Sequence, residues 1–314
     1  MFRANLTNRR TRLALGAGAI VIAGAAFAPG ILRSYGPWAE DGGDSSPFVS
    51  VNTGDPSATQ GAITELEQAA QDSDDPAVHL ALANAYLQRV RETSDPSLYA
   101  AAESALDRAA ELAPDDPEVT FVRGTLALAR HDFEGAFELG KRAVAADPER
   151  ARYHGLLADA QLELGLYADA VESLQQMVDR RPDFASFSRV AYARELHGDT
   201  EGAIQAMEAA IEAEAPYAEN IAWAYVQVGN LKFALGDLDG AEVAYQLAAE
   251  RLEGYAGALA GRGRLAAARG DFETAADLYQ QAFDRQPLAE YAIALGDIAL
   301  RQGDTEAARR ADEL

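Results

Sequence analysis

The sequence predicts an all-α protein, a right-handed solenoid of antiparallel helix pairs preceded by an apolar N-terminal helix. Three observations carry this reading. An alanine recurs at Ala102, Ala136, Ala170, Ala203, Ala241, Ala275 and Ala308, at steps of about 34 residues with one longer step after Ala203. A glycine, usually followed by aspartate, stands just ahead of it at Gly165, Gly198, Gly236, Gly270 and Gly303. Proline closes many units, at Pro114, Pro148, Pro182 and Pro287, with Pro216 one place late.

Each feature has a physical task. Antiparallel helices approach closely only where side chains are small. The recurrent alanines supply such contacts, helped by Gly124, Ala158, Ala191, Gly229, Gly263 and Gly296. A third set follows at Ala109, Ala143, Ala210, Ala248 and Ala282, with Met177 as the exception. The glycine before each alanine ends the first helix in a left-handed conformation. The aspartate after it is suited to start the second. Proline then stops the second helix, because it lacks an N–H and its ring opposes a helical predecessor. A helix–turn–helix of about 34 residues results, stacked on copies of itself.

This pattern resembles the tetratricopeptide repeat (TPR) family. The stretch VQVGNLKFALGDLDGAEVAYQLAAE (226–250) matches the family pattern at its Gly, Gly-Asp, Ala and Tyr positions. The resemblance covers residues 76–314, with repeats at 76–116, 117–150, 151–183, 184–221, 222–255 and 256–288 and an incomplete one from 289. Residues 57–75 read as a capping unit, with the helix AITELEQAAQ (62–71) covering the open end of the first repeat. Two departures stand out: an extra loop RETSDPSL (91–98) in the first repeat and a lengthening EAPYAEN (214–220) after the fourth. Insertions in a solenoid map to one face and are often binding sites, although a tolerated surface loop is thermodynamically cheap. The runs SRVAYARELHGD and EYAIALGDIALRQGD resemble a bacterial, membrane-anchored TPR subgroup of unassigned activity.

The N-terminus is a separate device. Arg3, Arg9, Arg10 and Arg12 precede an uncharged run from Leu13 to Leu32, and Arg33, Tyr35 and Trp38 follow. Such a run is long enough to span the hydrocarbon core. The basic flank stays in the cytoplasm and the aromatics suit the far interface. Residues 1–33 are thus expected to be a signal anchor, placing the solenoid outside the cytoplasm at the cell membrane. The alternative is a signal peptide cleaved after Ala26-Phe27-Ala28, giving a secreted or periplasmic protein. Residues 34–56 read as a flexible acidic tether, and their Gly-, Ser- and Pro-rich character persists to residue 60.

Composition narrows the functional classes. The formal net charge is −23, and all 50 acidic residues lie beyond Arg33. Nucleic acid is therefore not an expected partner, since phosphate contacts need clustered Lys and Arg. There is no cysteine, so disulfide and thiol chemistry are excluded. No HExxH, phosphate loop or CxxC is present. The four histidines, His79, His131, His154 and His197, fall in four different repeats at unrelated positions, which argues against a metal site. GRGRLAAARG (261–270) has the look of a nucleotide turn, but the repeat accounts for Gly263 and Gly270, and no strand precedes them. The expectation is a non-enzyme with no cofactor and no metal.

The leading reading is thus a membrane-tethered protein–protein interaction scaffold. Its alternative is an interaction or regulatory module of a longer protein, since the chain stops inside the second helix of its last repeat. Family resemblance implies that the first helix of each pair lines the concave face through its second, fifth, ninth and twelfth positions. These positions select Asn84, Leu87, Phe121, Thr125, Asp159, Tyr192, Glu195, Trp223, Asn230, Phe233, Arg264 and Asp297. Of these, Asn84, Phe121, Tyr192, Trp223, Asn230, Phe233 and Arg264 are the candidate partner contacts. Members that grip a chaperone's C-terminal carboxylate place a cation at the fifth position. Here that position holds Leu80, Phe121, Gly155, Ser188, Val226, Ala260 and Ile293. Carboxylate-clamp activity is not expected, and the expected partner is a helical or extended protein segment, basic or apolar.

Overall fold

The computed structural model describes residues 56–93, 95–213 and 218–311, all of whose regular structure is helical. The expected anchor, the tether up to residue 55, Pro216 and residues 312–314 lie outside the described residues. No described helix is long and apolar enough to cross a membrane.

Fifteen helices follow one another among these residues. Helix α1 (Pro56–Gln71) leads into seven pairs: α2 (Pro76–Thr93) with α3 (Leu98–Leu112), α4 (Pro117–Ala129) with α5 (Phe133–Ala146), and α6 (Ala151–Glu163) with α7 (Tyr167–Arg180). Next come α8 (Phe184–Leu196) with α9 (Thr200–Glu212), and α10 (Ala218–Ala234) with α11 (Leu238–Arg251). The last are α12 (Ala256–Ala268) with α13 (Phe272–Arg285), and α14 (Ala289–Gln302) with α15 (Thr305–Ala311). Each first helix packs on its own second helix and on the neighbouring pairs, which builds a right-handed α-solenoid.

The small residues lie where close packing needs them. Ala102, Ala136, Ala170, Ala203, Ala241 and Ala275 are all 0% exposed, as are Ala109, Ala143, Ala210, Ala248 and Ala282. Met177, the exception in that second set, is also buried and lies against Gly155. Tyr245, itself fully buried, is held between two glycines of different helices. A Cβ on Gly229 would come within 2.5 Å of its ring and one on Gly261 within 2.4 Å.

The turns follow their residues equally closely. Gly165, Gly198, Gly236, Gly270 and Gly303 are left-handed, with φ of 74°, 78°, 81°, 83° and 79°. The second repeat has His131 at this place, also left-handed at φ 60°, a conformation that strains a side chain with a Cβ. Asp132, Asp199, Asp237, Asp271 and Asp304 each accept the backbone N–H three residues on, at 2.8 to 3.1 Å. These caps satisfy donors that the helix start would otherwise leave open. The third repeat has Leu166 there and lacks a side-chain cap.

Three boundaries differ from the sequence expectation. The capping helix, expected over 62–71, already begins at Pro56, the last residue given to the tether: proline there has a preset φ, and Thr59, 1% exposed, donates to Glu92 at 2.6 Å. The expected loop 91–98 is mostly shorter, because Arg91, Glu92 and Thr93 continue α2. The fifth repeat begins at Ala218 and not at residue 222, because part of the expected lengthening at 214–220 is a turn of helix. In both lengthened repeats the added residues favour helix over loop, since they extend an existing ladder and need no new nucleus.

Candidate partner-binding groove

The sequence-selected residues separate mainly into a half-buried set and a buried set. Asn230, Phe233 and Arg264 come together on α10 and α12. Arg264 donates from Nη1 to Asn230 Oδ1 at 2.9 Å, and its guanidinium lies 5.8 Å from the Phe233 ring centroid. The Tyr245 hydroxyl donates to the same Asn230 oxygen at 2.9 Å. Asn230 and Arg264 occupy equivalent places in adjacent repeats, so repetition itself brings the pair into contact. Burial works against the Arg264 charge, yet Tyr245, Tyr279 and Glu290 outweigh it and hold its pKa above the ordinary arginine value. Burial likewise pushes the Tyr245 phenol up to about 12.

A second group sits on α6 and α8. Tyr192 donates to Glu163 Oε1 at 3.2 Å. Below it lies a buried ion pair: Arg189 Nε reaches both oxygens of Asp159, at 3.1 and 3.0 Å, with side-chain exposures of 2% and 9%. Arg189 also donates to the Ala185 carbonyl at 2.9 Å. Gly155 makes room for this arrangement, since a Cβ there would meet Met177 Sδ at 2.9 Å and Arg189 Nε at 3.3 Å. Desolvation raises the Glu163 carboxyl, and the neighbouring Asp159 adds to the rise, against the Tyr192 hydrogen bond. Glu195 keeps contact with solvent, yet surrounding protein desolvates it enough to raise its carboxyl too. Tyr192 is raised above its ordinary phenol value by burial first and then by Glu163.

Phe121 and Trp223 fill the interior, at 1% and 6% exposure. The Phe121 ring lies 5.4 Å from that of Tyr153, and the Arg152 guanidinium stacks on it at 4.9 Å. Arg152 pairs with Glu118, which also accepts from the Tyr153 hydroxyl at 2.5 Å. Trp223 packs edge-on against Phe184 with centroids 6.2 Å apart, and its Nε1 is buried without a hydrogen-bond partner. Asn84 is half-buried on α2, far along the chain from the other candidates. Leu87 and Thr125 are buried, whereas Asp297 is exposed. Sequence reasoning missed Arg189, whose signal was the glycine facing it, and Leu300; it put Ile293 at an inward fifth position without selecting it, and the two form an exposed apolar pair on α14, 63% and 59% exposed.

Two tetratricopeptide-repeat models match the chain, one over residues 127–194 and the other over 97–151 and 261–313. Together with the helix pairs and their alanine contacts, these matches decide the family. The chain belongs to the tetratricopeptide-repeat family. Solved structures of similar fold include the Cut9–Hcn1 assembly of the APC/C (16% identity, TM-score 0.62), matched over 81% of this chain and 48% of that one. This TPR protein therefore spans about half the length of that relative. PilW, a type IV pilus biogenesis factor, matches at 15% identity and TM-score 0.54 over 63% of this chain and 90% of its own. PilF of Pseudomonas aeruginosa matches at 20% identity and TM-score 0.50, over 69% and 94%. At these identities the likeness is one of fold. No curated protein matches the TPR protein in sequence. Among the described residues no group of His, Cys, Asp and Glu is placed to hold a metal ion.

Proposed function

We propose that this TPR protein is a non-enzymatic scaffold that holds a helical or extended segment of a partner protein in its concave groove. The observation that carries the reading is the Asn230–Phe233–Arg264 cluster. It offers a cation, an amide and an apolar ring side by side, positioned by Tyr245 from behind. Tyr192 and Glu195, at inward positions of α8 by the family resemblance, add an aromatic ring and an acid, which suits a segment carrying basic and apolar residues. Trp223 and Phe121 serve this surface from within, as packing that fixes the slope of α10 and α4.

The scaffold is further proposed to be tethered to the cell membrane through residues 13–32, with the solenoid outside the cytoplasm. Support comes from the arginine flank and the uncharged run of the sequence. Two experiments test these readings separately. Alkaline phosphatase fused after Leu314 should be active, and an inactive fusion beside an active cytoplasmic reporter overturns the topology. Arg264→Ala should reduce recovery of partner by crosslinking in intact envelopes while keeping the helical signal. Unchanged recovery removes this cluster from the site.

A further inference from the structure

The fifth and twelfth residues of a first helix are covered by the repeat that follows. At the fifth place, the Phe121 ring of α4 lies 5.4 Å from that of Tyr153 on α6. Gly155 of α6 faces Arg189 of α8, and Val226 of α10 would lie 3.6 Å from a Cβ on Gly257 of α12. At the twelfth place Leu87, Leu128 and Leu162 are buried. Helix α14 has Ile293 and Leu300 at these two places, and both are exposed. The other sides of α14 are occupied. Tyr291 and Ile298 join the core formed with α12 and α13, and Gly296 packs against Ala311 of α15. The face that earlier repeats cover with the next first helix is open on α14.

Between Ile293 and Leu300, at the ninth place, stands Asp297, exposed and with no hydrogen bond or ion pair among the described residues. Two earlier repeats show what this place receives. Asp159, ninth in α6, takes Arg189 of α8 at both carboxylate oxygens, at 3.1 and 3.0 Å. Asn230, ninth in α10, takes Arg264 of α12 at 2.9 Å. In both cases a guanidinium of the following first helix meets the ninth-position oxygen. Helix α10 is the closer match to α14. Its Val226, Asn230 and Phe233 stand where α14 has Ile293, Asp297 and Leu300: a β-branched aliphatic, a side-chain oxygen and a large apolar group. Helix α12 meets that set with Gly257 against Val226 and with Arg264 on Asn230 and beside the Phe233 ring. It thus brings a small residue and, two turns on along the same face, an arginine.

We propose that the open face of α14 is a second docking surface, and that its occupant is a partner helix carrying a small residue and, two turns on, an arginine that pairs with Asp297. The small residue seats on Ile293, and the guanidinium spans Asp297 and Leu300 as Arg264 spans Asn230 and Phe233. A carboxylate between two apolar anchors selects a basic helix over an acidic one, and the net charge of −23 favours its approach. A second copy of the chain is disfavoured, since an isologous contact brings two acidic bodies and two Asp297 carboxylates to one interface. The proposal does not rest on the groove reading. The probe is a fluorescent peptide of residues 255–269, held helical by a hydrocarbon staple between positions 262 and 266. In the protein Arg262 is exposed and Ala266 packs in the cluster of Tyr279 and Tyr291, so the staple avoids the side that meets α10. Titration with the full chain should give saturable binding by anisotropy. Asp297→Arg should weaken it by about tenfold or more. Ile293→Ser with Leu300→Ser should abolish it, at unchanged helicity because these side chains are exposed. A probe carrying Arg264→Glu should bind the Asp297→Arg chain more tightly than the wild-type chain. No binding, or binding indifferent to Asp297→Arg, overturns the proposal. A wild-type dimer in analytical ultracentrifugation that Ile293→Ser with Leu300→Ser dissolves would make a second copy the occupant and overturn it too. None of the substituted positions of the chain belongs to the Asn230–Phe233–Arg264 cluster, so failure here leaves the groove reading standing.

Discussion

Gly229→Ala is the sharpest test of the packing that positions the groove. A Cβ at this place would lie 2.5 Å from Tyr245 Cε1 and 2.7 Å from Cδ1, about 1 Å inside normal contact. The ring cannot retreat. It is 0% exposed, Gly261 faces it from the next repeat with only 2.4 Å to a Cβ, and its hydroxyl is bonded to Asn230. Overpacking of this kind costs about 1–3 kcal/mol, and the tight enclosure favours the upper part of that range. The helical preference of alanine over glycine returns about 1 kcal/mol. The net expectation is a loss of about 1–2 kcal/mol. Gly296 holds the same repeat position in α14, but there a Cβ would meet Ala311 at 3.6 Å, an ordinary contact. Gly296→Ala should therefore gain about 0.5–1 kcal/mol. Urea denaturation followed by circular dichroism measures both. In a Tyr245→Leu background the loss from Gly229→Ala should shrink or reverse. If Gly229→Ala and Gly296→Ala shift the midpoint equally, or Tyr245→Leu leaves the loss unchanged, the glycine clamp is not what limits the site.

Three further outcomes follow from the same geometry. His131→Gly should raise stability by about 0.5–1 kcal/mol, because it relieves a left-handed side chain while giving up an edge contact with Phe133 at 5.5 Å; a lower melting temperature would mean the ring contact outweighs the strain. Leu166→Asp should supply the aspartate cap that the third repeat lacks and stabilise α7 by about 0.5–1 kcal/mol, with no change in midpoint as the contrary result. Glu163 has a folded pKa raised by desolvation, so ionising it opposes the fold. Stability from this group is complete below the ordinary Glu range and is lost as pH rises through the raised value. Glu163→Gln should therefore melt higher than wild type at neutral pH, and the difference should close near pH 4; a gain that persists in acid would contradict the assignment.

The parts of the fold that repeat were legible, because each copy solves the same local problem. The fully buried alanines, the left-handed glycines and the aspartate caps are all dictated within one helix pair. Asn230 and Arg264 were legible as a pair for the same reason, since equivalent positions of adjacent repeats face each other. Phe121 and Trp223 were not separable from groove residues by spacing. A residue at the fifth or second position can face the groove or wedge against the next first helix, and the local rotation between repeats decides which. The ends of α2 and α10 were misread as loops because an insertion and a helical overhang have the same length in sequence.

Site-specific photo-crosslinking tests the central claim most directly. A photoreactive phenylalanine placed at Tyr192 or Phe233 samples the groove, and one placed at Val171 or Val243, 51% and 57% exposed on second helices, samples the outside of the solenoid. Irradiation of intact cells should yield the same protein adduct from Tyr192 and Phe233, diminished by Arg264→Ala, and none from Val171 or Val243. Adducts from Val171 and Val243 with none from the groove positions would contradict the account.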